Sequence, residues 1–221
     1  VAGAGWLCQE YFGMRASANQ IEKCYSDGVM AANLSGGICG QYAGSYQGNL
    51  TVTDCYSSGN IMGNEAGGIL GTDAGTSYGV VTLINCSATG LIYGEKSGGI
   101  CGSRAAGSAG LLNITKCKSS NKIHGDMSGG ICGYYGGAYS GRIRVIDCYS
   151  EGEIFGLGSG GICGSDAGYL DGKAEVINCY SRGDITGNAA GGICGADSAE
   201  ENGTVTVTNC YSSGTITGND Y

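Results

Sequence analysis

Thirteen cysteines stand at positions 8, 24, 39, 55, 86, 101, 117, 132, 148, 163, 179, 194 and 210, and their spacing constrains the fold more than any other feature. They form two interleaved series with one 31-residue period. Cys24, Cys55, Cys86, Cys117, Cys148, Cys179 and Cys210 make the first series; Cys8, Cys39, Cys101, Cys132, Cys163 and Cys194 make the second, with Leu70 at its one vacancy. Seven units of 31 residues (7 × 31 = 217) cover residues 5–221 without insertion or deletion. A fixed period of this length is the signature of a repeat architecture in which each unit buries its apolar face against its neighbours.

The units are not helical. The chain holds 46 glycines and no proline, and each glycine inside a helix costs about 1 kcal/mol. Collagen needs glycine at every third place together with proline, and a disordered chain would lack the 15 tyrosines and the 42% hydrophobic content found here. The segment TVTV at 204–207 alternates with period two, and an isoleucine nine residues later precedes a second turn, so each unit reads as strand, turn, strand, turn. The expected fold is all-β: a single-stranded β-solenoid of seven coils with a coil spacing of about 4.8 Å. Residues 1–35 are a degenerate first coil that reads as a cap, and residues 36–221 are six regular coils of one continuous domain.

On this lattice, chemical constancy marks inward columns: Ile38 with Ile69, Ile100, Ile131, Ile162 and Ile193; Ile61 with Ile92, Ile123, Ile154, Ile185 and Ile216; and Val52 with Leu83, Ile114, Val145, Val176 and Val207. Asn49, Val80, Arg142, Lys173 and Thr204 share a place whose chemistry varies, as an outward place does. The repeated glycines mark corners that need a positive φ or lack room for a Cβ.

The alternation of a GGICG-type element with an NCYSSGxIxG-type element resembles the GLUG motif, a tandem repeat of bacterial surface proteins that include adhesin-like proteins and secreted immunoglobulin A proteases. Ile-Cys stands here where the signature has Leu-Val. The resemblance runs from Gly36 to Gly218 and weakens over residues 5–35. It implies a β-solenoid and an extracellular or cell-surface location, and no catalytic residues, since the chemistry of those proteases belongs to a different domain.

Two readings of the cysteines remain. Regularly spaced cysteines in an extracellular chain form disulfide frameworks, and a bridge such as Cys39 to Cys55 would span one coil. Against this, the number is odd, Leu70 replaces one cysteine while Cys55 and Cys86 persist, and facing sheets lie about 10 Å apart where a disulfide needs Cα atoms about 5.5–6 Å apart. Buried free thiols fit that geometry better. The cysteine spacing and the single histidine, His124, do not match a zinc site. No cofactor and no catalytic constellation is expected: Asp54, Asp147, Glu175 and Asp184 are scattered over variable places, and His124 shares its place with Met62, Tyr93, Phe155 and Thr186.

A net charge of −8 opposes binding to nucleic acid or anionic lipid, and no apolar run approaches the roughly 20 residues of a membrane span. The chain opens VAGAGWL, without an initiator methionine or a signal peptide, and reads as a mature chain or an excised piece. Tyrosine supplies the candidate binding surface. Tyr25, Tyr56, Tyr149, Tyr180 and Tyr211 share the place after cysteine, and Tyr42, Tyr46, Tyr134, Tyr135 and Tyr139 crowd one loop. Identical stacked aromatics stabilise strands without any ligand, whereas exposed ones serve sugar or protein contact.

The function expected is a non-catalytic structural or adhesive solenoid, either a filament-forming subunit or a rod segment of a cell-surface protein, with a host glycan or protein as partner. Ice binding or glycan binding is the alternative. Trp6 and Phe12 at one end and Ile216 and Tyr221 at the other are the candidate assembly ends, since an uncapped last coil would recruit another chain head to tail or continue in a longer one.

Overall fold

The computed structural model describes residues 2–218; Tyr221 lies outside the described residues. The described chain is a β-solenoid without helix, and every strand pair is parallel and offset by the lattice period. One seven-stranded sheet stacks Asn19–Glu22, Asn49–Thr53, Val80–Ile84, Leu111–Thr115, Arg142–Ile146, Lys173–Ile177 and Thr204–Thr208. A second seven-stranded sheet stacks the two-residue strands from Tyr25–Ser26 to Tyr211–Ser212. A third runs from Leu91–Ile92 to Ile216–Thr217 and is prolonged by bridges from Met30 to Ile61 and from Ile61 to Ile92. The GGICG elements complete the coil through bridges between successive glycines and between successive second-series cysteines, with Leu70 between Cys39 and Cys101. Residues 31 apart are therefore direct neighbours, as with Ile123 and Ile154 or Val145 and Val176.

The long strands alternate as a half-buried sheet must. Leu112 and Ile114 point in, while Leu111, Asn113 and Thr115 lie partly exposed. The inward columns divide into two cores. The Val52 and Ile38 columns pack with both cysteine series, whereas Met30, Ile61, Ile92, Ile123, Ile154 and Ile185 form a second, smaller core with Ala66.

The glycines act mainly through space. A Cβ on Gly36 would overlap the carbonyl of Cys39 and the amide of Gly71, so only glycine lets adjacent coils approach there. Positive φ falls largely to other residues: 34 described residues that are not glycine adopt it. One column of them, Lys23, Asp54, Asn85, Lys116, Asp147, Asn178 and Asn209, turns the chain immediately before the first-series cysteines. That conformation costs about 1–2 kcal/mol for an L-residue. It is offset by bonds between coils, such as the Asp54 amide to the Ile84 carbonyl (3.0 Å) and Asn85 Nδ2 to Asp54 Oδ1 (2.6 Å).

All thirteen cysteines are free thiols, nine of them buried, so the disulfide reading is not realised. The two series differ in role. First-series sulfurs bond to backbone: Cys148 Sγ donates to the Ile146 carbonyl (3.2 Å) and accepts from the Cys117 amide (3.3 Å). In the second series the fully buried Leu70 fills a cysteine place with hydrocarbon. Cys132→Val is therefore expected to cost less than about 1.5 kcal/mol as a swap of similar volume. Cys148→Val strands the buried Cys117 amide and adds about 1–3 kcal/mol. Urea midpoints of the two variants measure the difference, and equal shifts would refute the division of roles.

Candidate functional site

The Tyr25 place lies on the second sheet, where the side chain before the buried serine points outward. Its aromatic column is interrupted by Ser87 and Lys118. Beyond the interruption, Tyr149 and Tyr180 stack with centroids 4.8 Å apart and planes 8° apart, and Tyr180 and Tyr211 at 5.2 Å and 12°. Cations flank the stack: Lys118 Nζ lies 5.3 Å from the Tyr149 centroid and pairs with Glu151, while Arg182 lies over Tyr180 and donates to Tyr211 Oη (3.1 Å). Tyr56 Oη bonds Thr89 Oγ1 at 3.0 Å, and Tyr25 is 72% exposed. In such a stack each ring covers its neighbour's face and presents edges to solvent, so the column is built for strand support more than for sugar stacking.

The loop before each long strand gathers most of the remaining tyrosines into two groups. Tyr11 and Tyr42 stack at 5.0 Å, with Tyr46 tilted against Tyr42. Arg15, Tyr46, Gln47, Ser77 and Tyr78 line an open groove of about 400 Å³. Farther along, Tyr135 meets Tyr134, Tyr139 and Tyr169, and Lys96 sits over Tyr134. The carboxyl of Asp166 beside them is raised to about 6, first by burial and then by the charges of Asp197 and Glu200, with the Tyr134 hydroxyl and Lys96 opposing. Between the groups, Arg104 bridges Asp73 (3.1 Å) and Glu65 (2.9 Å), and Gln41 donates to Asp73 Oδ2 (3.2 Å). In the second group the rings meet at steep angles, 60° for Tyr135 with Tyr139 and 74° for Tyr139 with Tyr169, unlike the parallel rings of the column.

A third aromatic group escaped the residue-by-residue reading. His124 lies between Tyr93 (5.2 Å) and Phe155 (4.9 Å) as the middle ring of a stack, although taken alone it reads as one more exposed side chain. The signal was present, since residues 93, 124 and 155 are 31 apart. Among the described residues, no group of three histidine, cysteine, aspartate or glutamate side chains is placed to hold a metal ion, and no helix is long and apolar enough to cross a membrane.

Of the candidate assembly ends, Trp6 and Ile216 are exposed and Phe12 is half-buried on the main core. A groove of about 470 Å³ beside Trp6 is lined by Gln9, Val29, Met30 and Ala32 among others. Four thiols near the ends of the stack, Cys8, Cys24, Cys194 and Cys210, are half-buried. Cys8 is lowered to about 7 by the hydrogen bond it receives from the Cys39 thiol, whereas burial raises Cys24 and Cys210 and the Cys163 thiol holds Cys194 up. Iodoacetamide on the native chain is therefore expected to add at most four labels, the first at Cys8 near neutral pH, against thirteen after denaturation. Mass spectrometry reads the count, and labelling of Cys101 or Cys132 in the native chain would contradict the packing. In comparisons with known proteins, the chain matches no family model, no curated protein and no solved structure.

Proposed function

We propose that this chain is a non-catalytic, extracellular β-solenoid that serves as a rigid rod on a cell surface and meets its partners through the tyrosine loops. The observation that carries the reading is how the repeated chemistry is used. Isoleucine, valine, cysteine, serine and glycine columns are occupied in holding coil to coil, while the side chains that differ between coils stand outside. The likeness of the GGICG and NCYSSG elements to GLUG repeats supports the surface location. Within the rod, the loop cluster of Tyr134, Tyr135, Tyr139 and Tyr169 is the favoured contact surface for a host protein or glycan, because amphipathic rings that are partly exposed and not stacked in parallel suit such contacts.

Ice binding is less well supported. The outward face of the long sheet carries Thr51, Thr53, Thr82 and Thr115, but Arg142 and Arg144 pair with Glu175 across the same face. A glycan array and a panel of immobilised host matrix proteins, probed with the wild type and with Tyr135→Ala/Tyr139→Ala, test the proposal. Binding that falls about tenfold or more in the double variant is expected, in line with the loss of an aromatic hot spot. Absence of binding to every surface would sink the adhesive reading, and thermal hysteresis would favour the alternative.

A further inference from the structure

We propose that the N-terminal face of the stack is a latent self-association surface that fits the C-terminal coil of a second copy, and that Trp6 and Phe12 hold it shut. The fit follows from the lattice, because the contact between successive coils is the same along the whole stack. A second copy continuing it would seat Val207 on Ile21, Cys210 on Cys24, Tyr211 on Tyr25 and Ile216 on Met30, each pair six periods apart in number (216 − 30 = 186 = 6 × 31). The last coil leaves apolar side chains open for that contact, while Ile21 and Met30 in the first coil are covered. Val207 and Ile216 are 48% and 54% exposed, whereas Val176 and Ile185, one coil inward, are buried.

Trp6 blocks this joint at one corner. The places equivalent to Gly28 lie against the carbonyl of the preceding coil: Gly28 O against Gly59, Gly152 O against Gly183, and Gly183 O against Gly214. At Gly28 itself a Cβ would meet the indole ring of Trp6, at Cε2, Cζ2 and Nε1. The ring thus occupies the space that the Gly214 carbonyl of a second copy would need. Every later coil has glycine where the first has tryptophan: Gly37, Gly68, Gly99, Gly130, Gly161 and Gly192. Phe12 departs likewise, standing where later coils have Ala43, Ala74, Ala105, Gly136, Ala167 and Ser198, and it packs on the exposed end of the main core. Two bulky side chains at places that elsewhere admit only small residues make a cap that covers the core and excludes a coil.

Trp6→Gly/Phe12→Ala restores the small residues at both places and tests the proposal without altering any other coil. The wild type is expected to sediment as a monomer, and the double variant to form unbranched fibres in negative stain, because a head-to-tail contact does not close on itself. In the 221-residue chain Val207 and Ile216 stay exposed while Trp6 lies over Gly28, so chains of this sequence should add to variant fibres at one end and stop them. One wild-type chain in ten would limit fibres to about ten chains. Ile216→Lys in the variant background should return it to monomer. Should the double variant lose its sheet circular dichroism, Trp6→Ala alone, which clears the Gly28 corner and leaves Phe12 on the core, is expected to self-associate in sedimentation where the wild type does not. Fibres from the wild type, a folded variant that stays monomeric, or variant fibres that neither wild-type chains nor Ile216→Lys shorten would each overturn the inference. The joint does not depend on the adhesive reading, which stands or falls on the binding panel.

Discussion

Gly129→Ala is expected to cost more than about 4 kcal/mol and to separate the coils on either side of it, while Gly136→Ala, seven residues away, leaves stability unchanged or raises it. The chemical change is the same, and the surroundings decide its sign. A Cβ on Gly129 would overlap the carbonyl of Cys132 and the amide of Gly164, and would lie 2.9 Å from the carbonyl carbon of Cys163. All three are backbone atoms, held by the bridges from Gly129 to Gly160 and from Cys132 to Cys163. None can retreat without breaking the ladder. At Gly136 the added methyl would find Ile143 Cδ1 at 3.6 Å and Cys132 Cβ at 3.7 Å, ordinary contacts on the edge of the core. Alanine already occupies this place at residues 43, 74, 105 and 167, and a compatible glycine-to-alanine change stabilises by about 0.4–1 kcal/mol through the unfolded chain. Urea titration of both variants checks the pair. A Gly129→Ala chain with the wild-type midpoint would mean that the GGICG elements are not in the close contact described.

These two glycines show what the sequence made legible and what it did not. The lattice was legible because a coil repeating every 31 residues must place Ile100, Ile131 and Ile162 at one spot, and a buried column betrays itself by unchanging chemistry. The period says which residues align along the rod, however, and nothing about which columns face one another across it. That is why the Ile61 column, one of three inward series in the sequence, turns out to have a core of its own. Left-handed corners were hidden for a different reason. Glycine is the residue associated with positive φ, yet Lys116, Tyr135 and Leu170 adopt it here. Their own preference is overridden by amide bonds to the next coil, such as Lys116 N to the Ile146 carbonyl at 3.1 Å. The tyrosine sites were legible as places and not as arrangements. Tyr149 and Tyr180 had to be neighbours, but that Tyr139 and Tyr169 would meet nearly edge to face depends on the course of the loops. Trp6 was legible as an outlier, and only its position over Gly28 shows which space it fills.

Excising residues 67–97 is expected to leave a folded, cooperatively unfolding solenoid, whereas excising 68–97 destroys the stack on one side of the cut. The first deletion removes one period (97 − 67 + 1 = 31) and joins Ala66 to Gly98, which takes the place of Gly67. Asn49–Thr53 would then lie beside Leu111–Thr115, with Leu50 against Leu112 and Val52 against Ile114, all four buried in the intact chain. Cys39 would meet Cys101, Cys55 would meet Cys117, and Arg104 would take the place of the excised Asp73 (104 − 31 = 73). In a quasi-one-dimensional stack this subtracts one coil and one interface and alters nothing farther away. The urea m-value should fall by about one-seventh, in proportion to the surface buried, with a modest drop in melting temperature. The 30-residue deletion differs by a single residue, but strand side chains alternate with period two. Either every residue after the cut pairs one place out of register, which turns Leu112 and Ile114 to solvent, or the extra glycine bulges out of a corner that has no room for it. Hydrogen exchange locates the damage: slow amides through Leu111–Thr115 are expected in the first deletant and fast ones in the second. If both deletants exchange alike, register is not what holds successive coils together, and the stack must owe its stability to contacts that slide.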